Sequence, residues 1–349
     1  MKIIHCADIH LGSRMNRLPK DKAEERAREI RSTFERMISY AKRERIYTIL
    51  LAGDIFDSDR PFKKDKEFFY SAIRRNSEIT FFYLRGNHDG NESYTETIEN
   101  LKTFGREWTS YTLGWNVVLT GMEIDGANCL SMYSTLRLDA GNHNIVMLHG
   151  MAGESFGEGK VSLTRLKNKN IDYLALGHYH EQGEIRIDER GISVYSGCLE
   201  GRGMDETGKK GFMVYDTDTK DVVFVPFASR MIEERTVDVS DSHNGYDVLK
   251  KVKTEVEIDR NNLLKLTLVG EVDFVDENLA YDVEKYLSDV CYFVSVKDGT
   301  RLKIDYSSLK DSMSLKGEFV RLVMSENLDD GDRQKILDMG IRALSGQEE

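Results

Sequence analysis

Five short apolar runs, each ending within a few residues of a potential metal ligand, constrain this chain more than any other feature. The runs are Ile3-Ile4-His5-Cys6-Ala7, Tyr47 to Ala52, Ile79 to Leu84, Ile145-Val146-Met147-Leu148 and Ile171 to Leu176. Their length and their branched and aromatic residues predict strands buried on both faces. Between the first two, Ala23, Ala27, Ile30, Phe34, Met37, Ile38 and Ala41 recur at helical spacing with charges on the other face. Strand, crossover helix and strand make a right-handed βαβ unit, and ligands in such sheets bind beyond the carboxyl ends of the strands. Asp8 and His10, Asp54, Asn87, His149, and His178 with His180 follow the five runs in turn, so all seven are expected at that one edge.

The residue types fit a pair of cations. Asp8 and His10, two apart on an extended backbone, would project toward the same side and share one ion. Asp54 follows Gly53, where a missing side chain admits close backbone approach, and its two oxygens suit a bridge. Asn87 offers an amide oxygen, and the three histidines offer neutral imidazoles. A nitrogen and oxygen set without sulfur suits Mn²⁺, Fe or Zn²⁺ better than Mg²⁺. Two such ions about 3.5–4 Å apart can activate a nucleophile and clamp phosphate oxygens. His88, beside a ligand and without an obvious pair, is placed as the catalytic group, a role typically worth about 10²–10⁴-fold. Taken singly, each residue has a duller use: an Asp caps helices, and Gly86-Asn87-His88-Asp89 reads as a turn. Joint occurrence decides, because five of the eight histidines fall at strand ends that also carry the acids. His5 is expected to be buried, and His143 and His243 to lie in loops.

Composition narrows the class. With 40% hydrophobic and 31% charged residues, and no apolar stretch near the roughly 20 residues of a membrane span, a cytoplasmic globular protein is expected. The chain enters its first strand directly, which argues against a cleaved leader. Cys6, Cys129, Cys198 and Cys291 lack paired spacing, which fits a reduced compartment and argues against a thiolate zinc site. A net charge of −11 confines any nucleic-acid contact to a local surface.

The fold class expected is α/β: a β-sandwich flanked by helices, with a small α+β module and C-terminal helices. Three parts are expected, 1–230, 231–308 and 309–349. In the first, runs at Gly191 to Tyr195, Gly211 to Tyr215 and Val222 to Val225 would complete a second sheet. The middle part reads as strand, helix, strand, helix and two strands, Tyr292 to Val296 and Leu302 to Tyr306, joined by a hairpin turn at Asp298-Gly299. The last part holds two apolar-faced helices, one with Leu315, Phe319, Leu322 and Val323, the other with Leu337, Ile341 and Leu344.

Asp8-Ile9-His10, Gly53-Asp54, Gly86-Asn87-His88-Asp89, His149-Gly150 and Gly177-His178-Tyr179-His180 together resemble the five motifs of calcineurin-like metallophosphoesterases. His5 to Gly12 is similar to the opening of the SbcD/YhaO exonuclease branch. The resemblance covers roughly the first two thirds of the chain strongly. It implies one metal held by Asp8, His10, Asp54 and His180, the other by Asp54, Asn87, His149 and His178, with His88 catalytic and manganese the usual ion. It also implies a homodimeric DNA nuclease, acting from 3′ ends and on hairpins or single strands, with an SbcC-like coiled-coil ATPase as partner. By the same resemblance the middle part is a capping domain, and Gly197, Arg202 and Lys209 line the substrate side. Arg85 and Ser196 stand where the family often has Pro, departures that leave the metal set intact and bear on substrate preference. Two rival readings remain: a phosphodiesterase of small nucleotides, which would share every ligand, and a subunit that organises DNA with little hydrolysis. Lys63, Lys64, Lys66, Arg74 and Arg75 read as a solvated face or a phosphate contact, and the nearby Phe68, Phe69, Ala72 and Ile73 as a dimer interface.

Overall fold

The computed structural model describes residues 1–90 and 96–344. Its elements fall into two units. Met1–Glu234, Ile258–Lys265 and Val290–Val294 form one, and Arg235–Glu257, Leu266–Asp289 and Ser295–Glu349 the other.

The first unit opens with β1 (Lys2–Cys6), α1 (Lys20–Arg43), β2 (Thr48–Ala52), α2 (Lys63–Arg74), β3 (Thr80–Leu84) and β4 (Leu101–Thr103). There follow β5 (Thr109–Gly114), β6 (Val117–Gly121), α3 (Met132–Thr135), β7 (His143–His149), β8 (Met151–Gly153), β9 (Lys160–Ser162), α4 (Leu163–Leu166) and β10 (Tyr173–Gly177). The last strands wholly within it are β11 (Gln182–Arg186), β12 (Ile192–Ser196), β13 (Gly211–Asp216) and β14 (Val222–Pro226). One six-stranded sheet has the order β14-β13-β1-β2-β3-β4, the other β11-β12-β10-β7-β6-β5. β1 to β4 are mutually parallel, as are β6, β7, β10 and β12.

Side chains of the five runs alternate between two cores, as a period of two requires. Ile3, Leu50, Ala52, Phe82 and Leu84 meet Ile145, Met147, Tyr173 and Ala175 of the other sheet. The alternate residues Ile4, Ile49, Leu51, Phe81 and Tyr83 face outward onto Ile30, Phe34, Met37 and Ile38 of α1 and Phe69 and Ile73 of α2. Val146, Leu148, Leu174 and Leu176 pack on Met132, Leu163 and Leu166. Sandwich and flanking helices thus agree with the expected α/β class. Each fully buried Leu, Ile or Phe side chain stabilises by roughly 1.5–3 kcal/mol, which fixes strand register firmly. Phe69, Ala72 and Ile73 are buried core residues and Phe68 packs partly buried against them, so this stripe is covered within the unit.

Three sequence expectations change here. β13 and β14 join the first sheet rather than the second, because β13 pairs antiparallel with β1 after the chain crosses at the Ala7 to Cys198 bridge. The second sheet is completed instead by β5, β6 and β11: β5 and β11 are rich in polar residues, and β6 offers only the three-residue apolar run Val117-Val118-Leu119. His143 is not in a loop: it begins β7, stacked on Tyr215. His5 is buried as expected, its Nδ1 accepting from Tyr173 at 2.9 Å and its Nε2 donating to the Leu176 carbonyl at 3.2 Å.

The other unit carries most of a three-stranded sheet of order β15-β16-β17, from β15 (Ile232–Asp238), β16 (Leu263–Val272) and β17 (Phe293–Leu302), with α5 (Gly245–Glu255) and α6 (Leu279–Leu287). Asp298-Gly299 makes no hairpin, because β17 runs straight through it. A Cβ at Gly299 would sit 2.9 Å from the Leu268 carbonyl, so the glycine admits a close neighbouring strand rather than a turn. Tyr306 starts α7 (Tyr306–Asp311), which precedes α8 (Leu315–Ser325) and α9 (Asp330–Leu344). Val320, Val323, Leu337 and Ile341 close a small core between the last two. The expected part 309–349 ends beyond the described residues at 345–349. Among the described residues no helix is long and apolar enough to cross a membrane, and all four cysteines are free and buried.

Candidate metal centre

All eight residues singled out for metals and catalysis lie at the carboxyl edges of five parallel strands, Asp8 and His10 beyond β1, Asp54 beyond β2, Asn87 and His88 beyond β3, His149 at the end of β7, and His178 and His180 beyond β10. The loops are tied edge to edge: Asp8 N donates to Gly53 O at 3.0 Å and His10 N to Asp54 O at 3.0 Å. Asp89 knits them further, accepting from the backbone N–H groups of Ile55, Phe56 and Gly86. Contrary to the extended backbone expected there, Asp8 and His10 have φ of 52° and 50°, as Asp54 and His178 have 54° and 95°. Their side chains are aimed by left-handed turns, a conformation that costs of order 1–3 kcal/mol and clusters at functional sites.

Two groups of donors result. Asp8, His10 and His180 form one, and Asp54, His149 and His178 the other, the candidate ligand atoms of each lying within 4.8 Å of one another. Asn87 belongs with the second, its Oδ1 being 3.0 Å from His149 Nε2 and 2.9 Å from His178 Nδ1. Asp54 Oδ2 stands between the groups, 3.3 Å from His149 Nε2 and 3.8 Å from His10 Nε2. Asp54 Oδ1 accepts from His88 N at 2.8 Å, which brings the exposed His88 beside the cluster, its ring 5.0 Å from that of His10.

Hydrogen bonds from behind orient the imidazoles. His149 Nδ1 donates to the Ala52 carbonyl at 2.9 Å, leaving Nε2 facing the oxygens of Asn87 and Asp54. His180 Nδ1 donates to Glu206 Oε1 at 2.7 Å. Two positions leave no room for a side chain. A Cβ at Gly53 would lie 2.2 Å from His149 Nδ1, and one at Gly86 2.2 Å from Asp54 Oδ1.

The electrostatics are those of a site that wants positive charge. Burial pushes Asp8 up to about 6, and Asp54 adds to the rise. Burial alone would lower His149, but Asp54 and Asp8 outweigh it and lift it to about 9. Burial takes His10 down to about 4. Asp54 is held below the ordinary carboxylate range: burial acts against this, and the hydrogen bond and charge of His149 overcome it.

The calcineurin-like phosphoesterase family matches residues 1–182. The chain belongs to that family. The phosphoesterase is 24% identical over 355 residues to the DNA double-strand break repair protein Mre11 of Sulfolobus acidocaldarius, covering 91% of each chain. It is 29% identical over 269 residues to the uncharacterized metallophosphoesterase YhaO of Bacillus subtilis, covering 70% of this chain and 64% of that one. A dimetal phosphatase from Danio rerio is similar with a TM-score of 0.42 at 9% identity, over 61% of this chain and 91% of that one. Family membership makes the phosphoesterase a metal-dependent hydrolase of phosphoesters and implies two divalent ions.

The residues present fit such ions. Both ring nitrogens of the fully buried His10 lack a hydrogen bond. With Nδ1 donating backward, His149 Nε2 presents a lone pair to two oxygens, a contact that needs a proton or a cation at its centre. The donor set lacks sulfur, which suits borderline and harder cations. When bound, the ions supply charge to a phosphoryl group and acidify a water.

The three residues expected on the substrate side stand differently. Arg202 donates from Nη1 to Asp57 at 2.8 Å and from Nη2 to Glu206 at 3.2 Å. Gly197, at φ 70°, packs its backbone against His180 to Gln182. Lys209 is exposed, whereas buried Lys210 donates to the His180 carbonyl at 3.0 Å. Arg85, in the position where the family often has Pro, makes a bidentate pair with Glu123, at 2.9 and 2.5 Å. Asp57, Asp89 and Glu206 were not singled out by sequence. Asp89 sits inside a quoted motif and Asp57 three residues past Asp54, but nothing local marks Glu206.

One cleft of about 310 Å³ on the same unit is lined by Arg14, Lys20, Ala23, Glu24, Ala27, Arg28, Arg31 and Lys64. Arg31 is paired with buried Asp65 at 2.5 Å. Arg14, Lys20, Arg28 and Lys64 make no ion pair among the described residues, which concentrates positive charge on an acidic chain.

Proposed function

We propose that the chain is a manganese-dependent DNA nuclease, a 3′–5′ exonuclease and single-strand or hairpin endonuclease, acting in double-strand-break repair in the cytoplasm. The observation that carries the two-ion chemistry is Asp54 Oδ2, which stands between the two donor groups at 3.3 and 3.8 Å from their imidazoles. Asp8, His10, Asp54 and His180 would hold one ion, and Asp54, Asn87, His149 and His178 the other. His88, exposed beside them, would protonate the departing sugar oxygen. DNA as the substrate is supported by the relative of nearly equal length named for break repair, and by the basic cleft on the catalytic unit. In this reading the segment 231–308 is a cap that orients DNA. The C-terminal helices dock an SbcC-like coiled-coil ATPase, and the protein works as a homodimer.

The test is digestion of end-labelled single-stranded, duplex and hairpin DNA with Mn²⁺, against Mg²⁺ and chelator, with Asp54→Ala and His88→Ala alongside. Cleavage that needs Mn²⁺, disappears in Asp54→Ala and falls about 10²–10⁴-fold in His88→Ala with metal content intact supports the reading. Hydrolysis of a small phosphodiester without DNA cleavage would replace the nuclease by a small-nucleotide phosphodiesterase. Unchanged turnover in His88→Ala would remove that residue's role.

A further inference from the structure

We infer that Asp57, Arg202 and Glu206 form a clamp that positions the two imidazoles of one ion and sets that ion's affinity separately from the other's. The inference rests on the two-ion reading. Glu206 Oε1 accepts from His180 Nδ1 at 2.7 Å, and Asp57 Oδ1 lies 3.3 Å from His10 Nδ1. A single guanidinium joins the two carboxylates: Arg202 Nη1 reaches Asp57 at 2.8 Å and Nη2 reaches Glu206 at 3.2 Å. Nη2 also lies 3.3 and 3.5 Å from the ring nitrogens of His180. The second oxygen of Glu206 is held in place too, accepting from Arg202 N at 2.7 Å and facing Cys198 Sγ at 3.7 Å. Side chains of Arg202 and Glu206 are only 15% and 11% exposed, so these charge-assisted bonds are shielded from water.

The arrangement does three things. Glu206 fixes the Nδ1–H tautomer of His180, and Asp57 places its charge 3.3 Å from Nδ1 of His10, so that Nε2 of each ring is left toward the ion. Negative charge behind an imidazole raises its basicity and hence its hold on a cation, an effect commonly worth about 10–100-fold in affinity. Arg202 keeps both carboxylates turned away from the ions, where they would otherwise compete as ligands. The second group has no equivalent. Its His149 is backed by the neutral Ala52 carbonyl, and among the described residues no carboxylate other than Asp54 pairs with His149 and none with His178. Two sites that share Asp54 therefore have different backing, one ionic and one neutral, and the clamp acts on the first alone.

The test is calorimetric titration of Mn²⁺ into the full-length protein stripped of metal, as wild type, Glu206→Gln, Arg202→Met, His178→Ala and Glu206→Gln/His178→Ala, with melting in chelator for each. Wild type should fit two sites. Glu206→Gln and Arg202→Met should each weaken one by about 10–100-fold and leave the other within about twofold. His178→Ala should weaken the site that the clamp variants spare, so that the double variant loses both. Melting in chelator shows that each variant still folds, and Arg202→Met, which leaves Glu206 without its guanidinium, is expected to melt lower than the wild type. Equal losses at both sites, or no loss at either, would overturn the clamp. A wild type that binds a single ion would overturn the two-ion reading itself and the separateness with it.

Discussion

At the scale of single residues, the site depends on backbone conformations that most side chains resist. Four of the nine non-glycine residues with positive φ among those described are Asp8, His10, Asp54 and His178, and Gly53 at φ 94° precedes one of them. Gly53→Ala would strain that turn and drive a methyl to within 2.2 Å of His149 Nδ1, where the ring is pinned to Ala52. Displacing the imidazole by about 1 Å is expected to cost about 100-fold in phosphodiester turnover. A metal assay by mass spectrometry should show less than two ions per chain, and unchanged content and turnover would refute this role for the glycine. The ligands themselves were legible because their types recur in one pattern at strand ends. Asp57 and Glu206 were not, since their partners come from far along the chain: Arg202 meets Asp57 across 145 positions. A lone Glu in a loop carries no local sign of what it will touch.

At the scale of elements, the strands beneath the site were legible and their neighbours were not. An apolar run of five residues states that a strand is buried but not which edge it joins, so β13 was assigned to the wrong sheet. The helical stripe of α1 was read from its apolar residues, which passed over Arg26, 2% exposed on the same buried face. Its Nη2 donates to Glu200 Oε2 and to the Gly201 carbonyl, both at 2.9 Å. Glu200 Oε1 in turn accepts from Thr33 at 2.6 Å and from Ser229 N at 2.5 Å. Removing one partner of a buried pair leaves an uncompensated charge, whereas replacing both with apolar groups can be nearly neutral. Glu200→Ala should therefore destabilise the protein by about 3–5 kcal/mol in urea unfolding, and Arg26→Met/Glu200→Leu should recover much of the loss. If the double replacement is no more stable than the single one, α1 is held in place by something other than this pair.

At the scale of the whole molecule, a net charge of −11 works against binding any polyanion, so affinity for DNA must come from uneven distribution. The cleft lined by Arg14, Lys20, Arg28, Arg31 and Lys64 against a single Glu24 is such an unevenness. Ala23 and Ala27, one helical turn apart on α1, also line it, and their small side chains take up less of the cleft than the basic ones around them. Each phosphate neutralised releases counterions, so the logarithm of the binding constant falls with the logarithm of salt by about 0.9 per contact. Arg14→Glu/Arg28→Glu should therefore weaken duplex binding, measured by fluorescence anisotropy without divalent metal, and reduce that slope by about 1–2. Hydrolysis of a small phosphodiester should be unaffected, because neither residue is among the metal ligands or their partners. A slope equal to that of the wild type would mean that DNA does not use this cleft. Loss of small-diester hydrolysis would mean that the substitutions had disturbed the adjoining turn of Asp8 and His10 instead.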